Sequence, residues 1–221
     1  MAAGRATRVR RFERATRALH WLNAATFLLL LISGLLIYLP EVKAREAGGY
    51  RLVPLLHIMI GVAFLIGPAL ILLLARGRRS AVTDIGGALT PARGDAVWLN
   101  WAMLSLLGAR GRAPRVAKFN AGQKLNSWYW LLAWFALSAT GVVLGINFFT
   151  KRVFGAEFVE SVFPYHEIIA LFSILPLLGH LYVALINRST RPALSSMFDG
   201  SVDAAWAGEH HPAWSPETRR S

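Results

Sequence analysis

Four apolar segments, each about as long as a bilayer is thick, leave this chain few folds. They run at roughly Ala18–Leu39, Leu52–Ala75, Ser127–Asn147 and Tyr165–Ile186. Each is near the ~20 residues with which a helix crosses a ~30 Å hydrocarbon core. In hydrocarbon every backbone N–H and C=O must be bonded within the protein, so segments of this kind are helices. The expectation is an all-α membrane protein, a four-transmembrane-helix bundle forming a single membrane domain over residues 1–221. Composition agrees: 55% of the residues are hydrophobic and only 16% charged.

Loop charges orient the bundle. Before the first span lie Arg5, Arg8, Arg10, Arg11, Arg14 and Arg17. Nine more basic residues lie between Arg76 and Lys124, and Arg188, Arg191, Arg219 and Arg220 follow the fourth span. These nineteen share one side; the other has five, Lys43, Arg45, Arg51, Lys151 and Arg152. The positive-inside rule puts both termini and the long middle loop in the cytoplasm of a bacterial inner membrane. Topology thus accounts for the formal charge of +12, and no nucleic-acid partner is called for. The run Arg10-Arg11-Phe12-Glu13-Arg14 has the look of an export signal. The apolar stretch after it is long enough to span, and no small-residue cleavage pattern follows. It reads as charges anchoring an uncleaved first helix.

The middle loop holds a shorter helix, about 91–107. Thr90-Pro91 is a start signal, and Val97, Trp98, Trp101, Leu104 and Leu107 recur at helical spacing. Too short to span, it reads as interfacial, with indoles at the headgroup level. The tail, 187–221, is polar and reads as cytoplasmic and solvated. No internal repeat is visible.

Inside the four spans sit His20, His57, His166 and His180. His166 and His180 are 14 residues apart, which on one helix is a climb of about 21 Å ending within about 40° of the starting face. The orientation gives each a depth. His20 and His180 fall near the cytoplasmic side, His57 and His166 near the periplasmic side. Two depth-matched pairs fit two stacked bis-histidine haems, because imidazole is a common axial ligand to haem iron. The alternative for any single imidazole is a proton relay or a helix-packing hydrogen bond. With no cysteine in the chain, disulfides, cysteine-bound iron–sulfur clusters and thioether-linked haem are excluded. Gly34, Gly61, Gly141 and Gly145 offer room for a flat macrocycle, or simply close helix packing. Arg17, Lys124 and Arg51 are possible partners for haem propionates.

Several stretches together are similar to one family. RFERATRALHW opening the first span, KFNAGQKLNSWYW leading into the third and HEIIALFSILPLLGHLYVALI in the fourth resemble the gamma (cytochrome b) subunit of membrane-bound formate dehydrogenase. The tail SMFDGSVDAAWAGEHHPAW resembles that family's tail. The resemblance implies two b haems, with His57 and His166 on the periplasmic-side haem and His20 and His180 on the cytoplasmic-side one. It implies electrons arriving from a molybdenum- or tungsten-pterin (alpha) subunit through an iron–sulfur (beta) subunit. It implies their delivery to menaquinone or ubiquinone in a pocket that includes Asn120 and Gly122, with Gln123 and Lys124 adjoining. Such a chain is an electron-transfer subunit, carries no catalytic residues for formate oxidation, and anchors the complex in membrane lipid. From the residues alone, Asn120-Ala121-Gly122 reads as a turn before a helix.

Two other readings stay open at the level of sequence. One keeps the haems but changes the donor to a nickel–iron hydrogenase or another quinone-linked dehydrogenase, since the loops Pro40–Arg51 and Phe148–Phe163 carry no identifiable family pattern. The other is a haem-free anchor or proton-relay transporter, against which stands the near absence of intramembrane carboxylates apart from Glu167.

Overall fold

The computed structural model describes residues 7–43, 45–47, 49–150 and 153–215. Arg5, Lys151, Arg152, Arg219 and Arg220, counted above among the loop charges, lie outside the described residues. In chain order the elements are β1 (Arg8–Arg10), α1 (Arg14–Leu36), α2 (Pro40–Lys43), β2 (Glu46–Ala47), β3 (Tyr50–Arg51), α3 (Leu52–Leu74), α4 (Arg78–Leu89) and α5 (Asp95–Leu106). Then follow α6 (Ala121–Thr150), α7 (Ala156–Phe172), α8 (Ile174–Leu181), α9 (Ser195–Phe198), β4 (Ser201–Asp203) and α10 (Ala204–His210). Four helical stretches are long and apolar enough to cross a membrane: Arg14–Leu36, Leu52–Leu74, Ala121–Thr150 and Ala156–Ile186. Large apolar side chains such as Ile32, Leu73, Leu132 and Leu175 stand exposed on them, a surface that suits lipid rather than water.

The chain forms two compact units. The apolar one comprises Ala18–Ala75 and Leu131–Leu177. Its helices carry prolines whose local cost is met in identifiable ways. Pro68, inside α3, has no N–H to offer the carbonyl of Phe64 four residues earlier. The Trp134 indole N–H donates to that carbonyl at 2.9 Å. Pro176 likewise has no N–H for the carbonyl of Phe172, and α7 ends at Phe172. The fourth span is therefore not the single regular helix expected from sequence. It breaks at fully buried Ser173, resumes as α8, and ends in a π turn over Tyr182–Ile186. Ser173 itself stays in the right-handed helical region, its N–H donating to the Ile169 carbonyl at 3.0 Å.

The polar unit comprises the chain up to Arg17, Arg76–Trp130 and the chain from Leu178. Here the structure departs most from the sequence expectation. The tail is folded: β4 pairs antiparallel with β1, Val9 opposite Val202, and these two with Ala207 form a small core. Asp203 caps α10 by accepting from the Trp206 N–H at 2.9 Å. The middle loop has two helices rather than one: α4, unanticipated, and α5, which starts at Asp95 instead of Pro91. The Asp95 carboxylate accepts from the Ala92 N–H at 2.7 Å, closing the turn that precedes it.

Arg11, expected as a membrane-surface anchor, is buried to 3% exposure. Its guanidinium donates to the Lys118 carbonyl at 3.0 Å and to His211 Nε2 at 3.1 Å. It lies 5.3–5.8 Å from the rings of Phe12, Trp206 and Trp214. His211, expected in a solvated tail, is 2% exposed and donates from Nδ1 to the Ala117 carbonyl at 2.8 Å. Asp84 accepts from Thr16 Oγ1 at 2.8 Å and is paired with Lys118. The turn that returns the chain to β1 needs glycine. Gly200 has φ +90°, and a Cβ there would sit 2.5 Å from the Phe12 carbonyl oxygen.

Two outcomes follow for stability. Gly200→Ala is expected to cost on the order of 1–3 kcal/mol, read as a lower melting temperature of the detergent-solubilised protein with unchanged helix content. Burial, and then the charge of Arg11, push the His211 imidazole down to about 4 from its ordinary 6.5. The folded form thus binds fewer protons than the unfolded form between these values. Stability is full above pH 6.5 and falls as pH drops through 4, by roughly 3 kcal/mol in all. His211→Gln should flatten that part of the pH–melting curve.

Candidate functional site

His57 lies in the second turn of α3 and His166 in the last third of α7. Their ring centroids are 6.2 Å apart and the planes meet at 72°. Two imidazoles trans on one metal, each bonded at about 2.0–2.1 Å with its centroid about 1.1 Å behind the nitrogen, have centroids about 6.2–6.4 Å apart. The observed separation falls within that range.

The hydrogen bonds around the rings decide which nitrogen is free. Ser33 Oγ has one hydrogen, and it is engaged by the Leu29 carbonyl at 2.7 Å. Ser33 Oγ also lies 2.8 Å from His57 Nδ1; with its hydrogen on Leu29 it accepts there, in the tautomer that carries the proton on Nδ1. The same holds opposite. Thr140 Oγ1 donates to the Ala136 carbonyl at 2.7 Å and accepts from His166 Nδ1 at 2.7 Å. In that tautomer each ring has its lone pair on Nε2, the nitrogen available to a metal. Among the described residues no three His, Cys, Asp or Glu side chains converge. A bare ion held by these two imidazoles would lack half of a tetrahedral set. A haem needs only one or two imidazoles from the protein, which these residues would supply. The residues present fit haem.

Ser33 and Thr140 escaped the sequence reading. A hydroxyl in a helix usually bonds its own preceding turn, and both do so here. The signal was the residue after each. Gly34 and Gly141 present a bare Cα to the same rings; a Cβ would stand 3.5 Å from His57 Cε1 and 3.4 Å from His166 Cε1. These two glycines face imidazole rather than open space. Gly61 and Gly145 face Leu30 and Ile58, ordinary helix packing.

His20 lies in the second turn of α1, edge-on to Trp21 at 5.2 Å. His180 is the penultimate residue of α8, immediately before the π turn; such turns are frequent at functional positions.

In the polar unit, Asn120 caps α6. Its Oδ1 accepts from the Gln123 N–H at 2.9 Å, and Gln123 Oε1 accepts from the Asn120 N–H at 3.0 Å. This reciprocal pair is a capping box, so the turn before a helix read in the sequence is present and α6 begins at Ala121. The Asn120 Nδ2 group keeps its hydrogens for another acceptor, and the Gly122 N–H, in the first turn, has no intrahelical partner. Gly122 also has a packing role: a Cβ would come within 3.1 Å of the Trp98 indole. Trp98 of α5 therefore packs onto the helix start, and Trp101 donates its N–H to the Gly111 carbonyl at 3.2 Å. Lys124, considered as a partner for a propionate, is paired with Asp95 at 2.9 Å. Arg17 donates to the Phe198 carbonyl.

A helical protein with four segments long and apolar enough to cross a membrane, and two imidazoles 6.2 Å apart among them, fits the b-cytochrome class. The model of the prokaryotic cytochrome b561 family matches residues 11–200, and the chain belongs to that family. Among curated proteins it is 27% identical to the nitrate-inducible formate dehydrogenase cytochrome b556(Fdn) subunit of Escherichia coli (strain K12). That match covers 93% of this chain and 89% of the relative. It is 24% identical to the formate dehydrogenase cytochrome b556(fdo) subunit of the same organism, over 96% and 93% of the two chains. It is 22% identical to the formate dehydrogenase cytochrome b556 subunit of Haemophilus influenzae, over 94% and 82%.

Packing at Gly122 has a testable sign. Alanine is normally better than glycine in a helix by up to about 1 kcal/mol. Against the Trp98 ring, Gly122→Ala is expected instead to lower the melting temperature. In a Trp98→Leu background the same substitution should raise it.

Proposed function

We propose that the chain is the di-haem cytochrome b subunit of a formate dehydrogenase complex. It would receive electrons on the periplasmic side from an iron–sulfur subunit, itself fed by a molybdenum- or tungsten-pterin subunit. It would pass them to quinone near the cytoplasmic side and anchor the complex in the bacterial inner membrane, both termini inside. The observation that carries this reading is the 6.2 Å approach of His57 and His166, each with its Nδ1 held against a hydroxyl. Three relatives bearing the name of a formate dehydrogenase cytochrome subunit favour that donor over a hydrogenase.

Haem b, when bound, supplies a one-electron centre that alternates between ferric and ferrous iron. The protein's part is to hold and orient. His57 and His166 would hold one haem, and His20 and His180 the second by the depth argument. The bilayer excludes water from the first pair. Asn120 Nδ2 and the Gly122 N–H donate to a quinone carbonyl, bonds that strengthen as negative charge grows on oxygen. Gln123 holds Asn120 in place through the capping box. The α5 helix, with exposed Val97, Met103, Leu104 and Leu106, lies in the cytoplasmic interface.

A pyridine haemochrome assay on the purified protein is expected to report two b haems per chain; none would sink the proposal. His180→Ala should remove one haem and quinone reduction, while the His57/His166 haem is still reduced by the donor. Co-purification with a pterin-binding subunit is expected, and a nickel–iron subunit in its place would overturn the assignment of the donor.

A further inference from the structure

Each of the two imidazoles meets the same two-residue device on a neighbouring helix. In α1 it is Ser33-Gly34, in α6 Thr140-Gly141. The hydroxyl oxygen lies 2.8 and 2.7 Å from the ring's Nδ1, and the glycine stands beside the ring, where a Cβ would come 3.5 and 3.4 Å from Cε1. The chain shows no sequence repeat, yet the helix before each histidine carries the device, 24 residues ahead of His57 and 26 ahead of His166. Helix packing alone would call for the glycines. It would not call for a hydroxyl whose proton is already given to its own helix and whose lone pair then faces an imidazole N–H.

We propose that Ser33 and Thr140 are paired positioning residues that orient both axial ligands and lower the reduction potential of the iron they share. The proposal rests on the reading of His57 and His166 as haem ligands. A ring nitrogen whose N–H is held by an acceptor gains imidazolate character and becomes a stronger donor through its other nitrogen. A stronger donor favours the ferric state. The acceptor in each case is a hydroxyl already polarised by donating to a carbonyl, Leu29 or Ala136, which sharpens its lone pair. A serine and a threonine also cannot take the imidazole proton outright, as a carboxylate could. Two hydroxyls thus give graded tuning with no added charge in the hydrocarbon.

The experiment is a redox titration of the membrane-embedded complex, following the haem component that disappears in His57→Ala. Ser33→Ala and Thr140→Val should each leave two haems per chain by pyridine haemochrome. Each should raise the potential of that component, favouring reduction about threefold to tenfold, where tenfold is 59 mV for one electron. The low-spin ferric electron paramagnetic resonance signal of that haem should shift as well. Thr140→Ser, which keeps the acceptor, should restore the parent potential and signal. Unchanged potential and signal in both hydroxyl-free variants, with two haems retained, would overturn the tuning role while leaving the haem assignment intact. If no haem component responds to His57→Ala in the first place, the underlying reading fails instead.

Discussion

A polar group in hydrocarbon must find its partner inside the protein, and this one constraint organises the apolar unit. It makes the spans helical, and it governs what happens wherever a helix is interrupted or carries a polar side chain. The carbonyl of Phe64, orphaned by Pro68, is taken up by the indole N–H of Trp134 from another span. Thr26, Ser33, Thr140 and Ser173 each donate to a carbonyl three or four residues earlier. Two of these hydroxyls have a second use. Having given away their protons, they can only accept, and an imidazole N–H is what they accept from. The same rule that keeps a hydroxyl tolerable in the membrane therefore brings it to the Nδ1 edge of the histidine.

The polar unit answers to different physics. It lacks a large apolar core; Val9, Val202 and Ala207 are its most buried aliphatic cluster. Its rigidity comes from one buried guanidinium. Arg11 ties the start of the chain to the Lys118 carbonyl in the middle loop and to His211 in the tail, beneath the rings of Trp206 and Trp214. The planar, delocalised cation suits this use, because it can stack on indoles and donate in plane at once. Burial holds Arg11 near 10, so it remains charged at neutral pH and keeps His211 neutral beside it. Three segments far apart in sequence are thus gathered around a single side chain.

The sequence made the spans legible because hydropathy acts residue by residue along a continuous stretch. It also led to the pairing of His57 with His166, because loop charge and helical rise are one-dimensional quantities. The two imidazoles of matching depth on the second and fourth spans are the two whose rings lie 6.2 Å apart. What escaped was whatever depends on contacts between distant segments. The pairing of Arg8–Arg10 with Ser201–Asp203 has no local signature beyond an Asp-Gly turn. The RRFER run looked like surface charge because exposure is the common fate of arginine. His211 looked solvated because nothing in the tail shows that Ala117 and Arg11 would enclose it. The helix break at Ser173 was within reach, since Pro176 was in plain view and proline acts on the carbonyl four residues earlier. Ser33 and Thr140 were the subtlest omission, because their bonds to their own helix look complete.

The glycine at position 122 shows how one residue can satisfy two demands that sequence cannot separate. Its lack of a side chain admits the Trp98 ring, which seats α5 on the start of α6. Glycine chosen for packing alone would need no neighbouring donor. Here the adjoining Asn120 spends its oxygen on the capping box and keeps its amide hydrogens. A capped helix start is stiff, and stiffness is what a hydrogen-bond donor needs if it is to favour a charged oxygen without reorganising. The cap that begins the third span and the donors proposed for quinone are therefore one arrangement: the bond from Gln123 to Asn120 that starts the helix also fixes the direction in which the amide points.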